Sequence, residues 1–65
     1  MFGTIIKIKP EGYGFISAGE GPNFFFNRAE LIDLEWGEQL LERRVQFEPL
    51  AAGKGPKALC VRPAK

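Results

Sequence analysis

Two aromatic stretches decide the fold of this chain: Gly12-Tyr13-Gly14-Phe15-Ile16 and Asn23-Phe24-Phe25-Phe26-Asn27. Side chains alternate between the two faces of a β-strand, so each stretch points its rings to opposite sides. One face can enter a core with Ile16, Phe24 and Phe26. The rings that remain point to water, and they are Tyr13, Phe15 and Phe25. A small protein gains nothing from such exposed rings unless they contact a ligand, so this surplus is the main functional clue.

The chain has 65 residues, which suffices for one domain, 1–65. A domain of this size buries only about 60% of its unfolded surface, so we expect modest stability. Its one cysteine, Cys60, leaves no internal disulfide and suits the reducing cytoplasm. No apolar run approaches the roughly 20 residues of a membrane span, and no signal-peptide layout opens the chain. We therefore expect a cytoplasmic protein with no membrane partner.

The sequence contains few side chains suited to catalysis or metal binding. The sequence contains no histidine, the commonest general base and metal ligand. Ser17, the one serine, therefore has no base to activate it, and a single cysteine does not make a zinc site. Ser17 also stands where a dinucleotide fingerprint beginning at Gly12 needs glycine, and residues 53–55 lack the Ser or Thr of a phosphate-binding loop. We expect no enzyme activity, no cofactor, no metal and no small-molecule substrate.

The net charge of +1 is unevenly distributed along the chain. The middle is acidic and contains Glu30, Asp33, Glu35, Glu38 and Glu42. The ends are basic and contain Lys7, Lys9, Lys54, Lys57, Arg62 and Lys65. If the two ends pair in the fold, they share a basic strip, although charge alone favours an ordinary solvated surface.

The first half of the chain predicts three strands. Residues 3–9 are rich in β-branched side chains and form the first. Residues 12–17 and 24–27 form a hairpin around a Gly/Pro-rich turn. Glycine is a poor strand former, so its presence at position 14 needs a structural reason. Either it leaves a clear backbone over which a flat ligand lies, or it marks a bulge or a barrel corner.

The second half predicts a short helix and two more strands. Asn27 is a helix N-cap with Glu30 three residues later, and the helix runs through Leu31, with an extension to Leu34 open. One helix continuing to Arg44 stays an alternative, against which Gly37 and the off-pattern Trp36 argue.

Strand patterns return near the end of the chain. Residues 44–48 alternate with Val45 and Phe47 inward, residues 49–56 predict a flexible loop, and residues 58–62 predict a strand with Leu59 and Val61 inward. Five short strands with one brief helix after strand 3 predict an all-β fold, a small closed antiparallel barrel.

The three exposed rings predict a stacking platform. Tyr13 and Phe15 are roughly 7 Å apart along one strand, and Phe25 faces the same way on the hairpin partner. Each base stacked on such a ring is worth roughly 1–3 kcal/mol, and stacking tolerates any base that is not already paired. The alternative is that one or two of these rings cover the edge of a second core.

The motifs resemble those of bacterial cold-shock proteins over residues 3–62. The first aromatic stretch resembles that family's first ribonucleoprotein motif, and Phe24-Phe25-Phe26-Asn27 resembles the second. The closing strands match in Val45-x-Phe47-Glu48 and Gly53-x-Gly55-Pro56-x-Ala58-x-x-Val61. The resemblance implies a five-stranded oligonucleotide-binding barrel (OB-fold) that binds single-stranded RNA and DNA, often as an RNA chaperone.

The resemblance also assigns roles to residues. It places base stacking on the three exposed rings, an aromatic loop contact on Trp36, and Pro56 and Lys57 near the groove. Together with the basic residues expected to meet phosphates, the predicted nucleic-acid-binding residues are Lys7, Lys9, Tyr13, Phe15, Phe25, Asn27, Arg28, Trp36, Lys54, Pro56 and Lys57.

Several positions depart from the family pattern. Asn27 stands in place of the usual histidine and Arg28 in place of a phenylalanine. The family often has an exposed tryptophan on the first strand, and Lys7 is the nearest equivalent in this chain. Glu11 precedes the first motif where a basic residue is usual, and Glu42 stands where a glycine is expected. Arginine can still stack and bind phosphate, so we expect these changes to weaken binding without abolishing it.

Two other classes of function stay open from the sequence. The runner-up is a protein-interaction module whose acidic segment, which contains Trp36, docks on a partner. A weaker hypothesis is that the chain is a barrel with only a hydrophobic core and no binding face, which serves as a structural adaptor. We expect a monomer, with a domain-swapped dimer as the alternative.

Overall fold

The computed structural model of the protein describes residues 1–53 and 55–64. Its strands are β1 Phe2–Lys9, β2 Tyr13–Ser17, β3 Phe24–Asn27, β4 Arg44–Ala52 and β5 Gly55–Pro63. Two 3₁₀ turns, η1 Arg28–Glu30 and η2 Glu38–Leu40, lie between β3 and β4. Within these residues no helix is long and apolar enough to cross a membrane.

The five strands form a closed barrel in the order β1-β2-β3-β5-β4. Four neighbouring pairs are antiparallel, whereas β3 and β5 are parallel where Phe25 pairs with Lys57. The predicted all-β class and strand number are confirmed, but the purely antiparallel sheet is wrong. The reason is parity: strand directions cannot alternate all the way around a closed ring of five, so one neighbouring pair must run parallel.

The barrel is filled by one apolar cluster, and its fully buried members are Ile5, Ile16, Phe26, Leu40, Val45, Phe47, Ala58 and Val61. Phe24 packs against it, with its ring centroid 4.9 Å from that of Phe47. Val45 and Phe47 therefore point inward as predicted. The outer face of β2 and β3 is left free by this packing, because the core uses only Ile16, Phe24 and Phe26 from the hairpin.

A bulge in β5 changes which of its side chains enter the core. Glu48 pairs with Leu59 but Gln46 pairs with Arg62, so β5 carries one extra residue. Cys60 lies in this bulge with φ +53°. As a result Ala58 and Val61 are buried and Leu59 is only half-buried, which corrects the prediction that Leu59 faces the core.

The segment after β3 contains no α-helix. Asn27 is the predicted N-cap, and its Oδ1 accepts a hydrogen bond from the Ala29 amide at 3.1 Å. The predicted continuation through Leu31 is wrong, because Leu31 forms a parallel bridge with Val61. Glu30 does not close a capping box either, since its Oε1 accepts from the Cys60 amide at 3.2 Å.

The rest of this segment, up to β4, contains no long helix or strand. The single helix to Arg44 is not formed, and the one turn found there is η2, which the sequence did not indicate. Leu40 anchors η2 in the core. Glu42, at the position where the resembled family has glycine, has φ +66°, in the left-handed region that favours glycine.

The predicted flexible loop at residues 49–56 is wrong, because β4 and β5 continue as a long hairpin. Pro49 pairs with Ala58, and Ala51 pairs with Pro56. This part of β4 extends beyond its pairing with β1, which covers only residues 44–46. Proline lacks an amide donor but is tolerated on such edge segments. Lys54 falls outside the described residues.

Candidate functional site

Three rings from β2 and β3 lie together on the outer face of the barrel. Phe15 pairs directly with Phe25, and Tyr13 lies two residues from Phe15 on β2. The ring centroids are 5.4 Å apart for Tyr13 and Phe25, 5.9 Å for Phe15 and Phe25, and 6.0 Å for Tyr13 and Phe15. All three rings are half-buried, so each keeps a surface that a ligand can reach. We call this set the three-ring face.

The backbone beneath the three-ring face is tightly packed. Gly14 is buried on the inner side of β2, where an added Cβ would collide with the carbonyl oxygen of Lys7 and lie 2.9 Å from the ring of Phe26. The pairing register is continuous through Gly14, so the glycine is not a bulge. It is required by the close approach of β1 and Phe26 from inside, and the expectation of a clear backbone for a ligand is wrong.

Lysines lie on both sides of the central ring pair. Lys7 on β1 pairs with Phe15, and Lys57 on β5 pairs with Phe25. Both lysines are exposed. The four side chains form one row across β1, β2, β3 and β5. The basic ends of the chain therefore do not share a strip, since β1 and β5 are not neighbours, but they flank the rings from opposite sides.

Two grooves meet at Phe15. One has a volume of about 300 Å³ and is lined by Phe15, Phe25, Gly55, Pro56 and Lys57. The other has a volume of about 570 Å³ and is lined by Ile6, Lys7, Phe15 and Asn23. The structure thus brings the predicted residues Pro56 and Lys57 to the rings.

Sequence reasoning missed Ile6 and Asn23 as groove residues. Ile6 lies in a β1 irregularity between Ile5 and Lys7, and it is 46% exposed. Because Ile5 is buried and both following residues point outward, the alternation of β1 shifts here by one residue. Nothing in the composition of residues 3–9 marks that shift.

The end of the three-ring face near Tyr13 is polar. Lys9 pairs with Tyr13 on one side and Asn27 pairs with it on the other. Oδ1 of Asn27 accepts one hydrogen bond in the cap of η1, which leaves the Nδ2 donors and a second lone pair on Oδ1 for a ligand. Arg28 is exposed, its amide donates to the Gly12 carbonyl at 2.8 Å, and its aliphatic stem lies over Gly12.

Trp36 lies apart from the three-ring face. Its indole packs edge-on against Phe26, with centroids 6.2 Å apart, and it covers the apolar core. Phe26 and Phe25 are consecutive on β3 and therefore point to opposite faces. The half-buried indole lines a third cavity of about 280 Å³ together with Ile8, Pro10, Gly37 and Glu38. Trp36 was predicted to contact bases from a loop, which stays a prediction, and the structure places its indole apart from the three-ring face.

The described part of the chain contains no candidate metal site. Residues 1–53 and 55–64 contain no group of three or more Cys, Asp or Glu side chains placed to hold a metal ion. The arrangement instead offers flat apolar surfaces with cations at their edges.

Comparison with known proteins gives one line of evidence, which concerns the fold. No family model and no curated protein matches the chain. Among solved structures, "drosophila Unr CSD456" aligns with a TM-score of 0.78 and 23% sequence identity. The alignment covers 98% of this chain and 26% of the Drosophila chain, so this protein corresponds to a small part of that structure. The chain therefore has the fold of a cold-shock domain.

Proposed function

We propose that the protein binds single-stranded nucleic acid with low sequence specificity, by stacking bases on Tyr13, Phe15 and Phe25. The observation that carries this proposal is the three-ring face itself, with its rings in mutual contact, half-buried and placed outside the core. Stacking uses the π-face that every base has, so such a platform accepts unpaired bases of any sequence. The fold supports the proposal by analogy, since cold-shock domains and OB-folds are common single-strand-binding modules.

The charges around the rings favour the same class of ligand. Lys7 and Lys57 flank the central pair, and Lys9 and Arg28 lie toward the Tyr13 end. Phosphates of a strand whose bases lie over the rings would meet these cations. Lys54 belongs to the same predicted set, although it falls outside the described residues.

The two grooves at Phe15 suit successive bases. A base in either groove contacts one side of the Phe15 ring, with Phe25 and Pro56 in one groove and Ile6 and Asn23 in the other. The Asn23 amide has both a donor and an acceptor for a base edge. Phe15 is therefore the side chain on which the proposed binding depends most.

The expected affinity is modest. Three stacked bases contribute roughly 3–9 kcal/mol gross, from which the ordering of the strand must be subtracted. The net charge of +1 adds little long-range attraction. We expect a Kd in the micromolar class, about −8 kcal/mol. RNA is the more abundant single-stranded ligand in a cell, and sequence-tolerant stacking on unpaired bases is the property that an RNA chaperone needs.

The test is a titration of a labelled hexathymidylate or oligouridylate, followed by fluorescence anisotropy. Phe15→Ala should lose most of the binding while its circular dichroism spectrum stays native. Phe2→Ala is the matched control, because Phe2 is an exposed phenylalanine on β1 that pairs with Gln46, away from the three-ring face. Unchanged binding by Phe15→Ala would show that the proposal is wrong.

The alternative, a protein-docking segment centred on Trp36, is less well supported. An anchor for a partner has to offer its ring to that partner, whereas Trp36 packs onto Phe26 and the core. A Trp36→Ala variant that lost a protein partner but kept oligonucleotide binding would favour this alternative.

A further inference from the structure

We infer that the binding face continues beyond the three-ring face onto β4, where Leu50 contacts one further base of the bound strand. The inference rests on the proposed function, since that base belongs to a strand held by the three rings. The aromatic pattern of the sequence does not indicate this contact, because the residue is aliphatic and lies in the segment predicted to be a flexible loop.

The pairing register places Leu50 at the end of the row that begins at Lys7. Phe25 pairs with Lys57 on β5, and Lys57 pairs with Leu50 on β4. Residues directly opposite one another on neighbouring strands point to the same face of the sheet. Because neighbouring strands are about 4.8 Å apart, Leu50 lies roughly 10 Å from Phe25 across the sheet. The row of lysine, ring, ring and lysine therefore ends in a leucine on the fifth strand.

Exposure by itself does not distinguish Leu50, because single exposed apolar side chains are normal on soluble proteins. Leu50 is 44% exposed, and Leu41 is exposed to the same extent. Position separates the two leucines. Leu41 directly follows η2, and its amide donates to the Glu38 carbonyl at 3.0 Å. Leu50 instead lies next to Lys57 in the row that contains the central ring pair.

The edge of β4 is open at Leu50. Among the described residues, β4 pairs with β1 at residues 44–46, and the Phe47 amide donates to the Met1 carbonyl at 2.8 Å. Beyond Phe47, the described strand that pairs with β4 is β5. A ligand that crosses Lys57 therefore meets no further strand of the described chain at Leu50.

The groove beside Phe25 connects Leu50 to the rings. Pro56 and Lys57 line this groove, and Pro56 pairs with Ala51, the neighbour of Leu50. A base in the groove therefore lies beside the part of the β4–β5 hairpin that contains Leu50. An OB-fold site holds roughly 4–16 nucleotides, more than three rings can stack. A longer strand must continue past the rings, and on this side it reaches Leu50.

The chemistry of Leu50 suits a base and not a phosphate. Its side chain has no hydrogen-bonding atom, so it offers apolar contact to any base and reads no base edge. Glu48 is exposed two residues away on the same face of β4, where its carboxylate repels phosphates. Lys57 is the described cation that pairs with Leu50. The phosphate should therefore lie at Lys57 and the base over Leu50, which preserves the low sequence specificity.

The first test measures the affinity of oligothymidylates from four to eight nucleotides by fluorescence anisotropy. Leu50→Ser should weaken binding of the octamer by about fivefold, which corresponds to about 1 kcal/mol, because the base loses its apolar contact. Binding of the tetramer and the circular dichroism spectrum should not change. Leu41→Ser is the matched control, since it removes an equally exposed leucine outside the row, and it should bind both oligomers as the wild type does.

An abasic scan separates direct contact with Leu50 from an indirect effect through Lys57. Octathymidylates that each lack one base should reveal a position at which base loss weakens the wild type by about fivefold and leaves Leu50→Ser unaffected, the sign of a direct coupling. Equal octamer affinities of wild type and Leu50→Ser, the same loss in Leu41→Ser, or no position specific to the wild type would each overturn the inference. Failure of the wild type to bind any oligomer would instead contradict the proposed function.

Discussion

Phe15 and Phe25 lie directly opposite each other on β2 and β3, with ring centroids 5.9 Å apart and ring planes at 72°. Lys7 continues this row on one side and Lys57 on the other. The order of lysine, ring, ring and lysine places aromatic surface at the centre and charge at both edges. In the proposed complex, binding strength comes from the rings, and sensitivity to salt comes from the lysines.

Phe24 and Phe25 should differ in their effect on binding, because they are consecutive and point to opposite faces. Phe25→Leu should weaken oligonucleotide binding by about 1–3 kcal/mol, the contribution of one stacked base, and it should also lower the urea midpoint, because the Phe25 ring contacts those of Tyr13 and Phe15. Phe24→Leu removes the ring that packs 4.9 Å from Phe47. It should lower the free energy of unfolding by roughly 0.5–1.5 kcal/mol and leave the affinity of the folded protein intact. A loss of affinity in Phe24→Leu but not in Phe25→Leu would contradict the assignment of faces.

The lysines should control the salt dependence. Each phosphate contact with a single strand contributes about 0.7 to the slope of log K against log salt. Lys7→Gln and Lys57→Gln should each reduce the slope by about that amount, measured by titrations from low to moderate salt. Arg44→Gln serves as the control, since Arg44 is an exposed cation that pairs with Thr4 away from the rings. Equal slopes in all four proteins would mean that the two lysines do not meet phosphates.

Alternation made the faces of the central strands predictable. Val45 and Phe47 are buried, and the rings of the three-ring face lie on one side of β2 and β3, because a strand with a regular register places every second residue on the same side. A closed ring of five strands cannot be antiparallel throughout, so at least one parallel pair could also have been deduced, although parity does not identify β3 and β5 as that pair.

Bulges and long-range contacts were not predictable in the same way. The irregularities near Ile6 and at Cys60 each add one residue to a ladder and leave no local mark in the sequence. Leu31 leaves the helical path to bridge Val61, and Trp36 packs onto Phe26. Leu31 and Val61 lie far apart in the chain, outside any local window, and Trp36 lies in an irregular segment where no side-chain periodicity predicts its contact with Phe26.

Gly14 should be intolerant of any side chain. An added Cβ would collide with the Lys7 carbonyl and lie 2.9 Å from the Phe26 ring, and such overpacking costs about 1–3 kcal/mol. Gly14→Ala should therefore lower the urea midpoint. Gly53→Ala is the control, because among the described residues no atom outside its chain neighbours lies within 4 Å of the Cβ position there. If Gly14→Ala proved as stable as Gly53→Ala, the close packing beneath the three-ring face would be wrong.

Replacing Cys60 with asparagine should stabilise the folded protein. Its φ of +53° lies in the left-handed region, which costs most L-residues roughly 1–2 kcal/mol but is tolerated by asparagine. Its amide donates to Oε1 of Glu30 at 3.2 Å, a bond that the substitution retains. Cys60→Asn should therefore raise the free energy of unfolding by about 0.5–1 kcal/mol, a part of that strain.

Cys60→Ala separates this backbone effect from loss of the thiol, because alanine suffers the same strain as cysteine at positive φ. It should give no gain in stability. The measurement is the midpoint of urea unfolding at an unchanged m-value, so that a shift reports stability and not a change in the denatured state. If asparagine and alanine shifted the midpoint equally, the left-handed backbone at Cys60 would not be a source of strain.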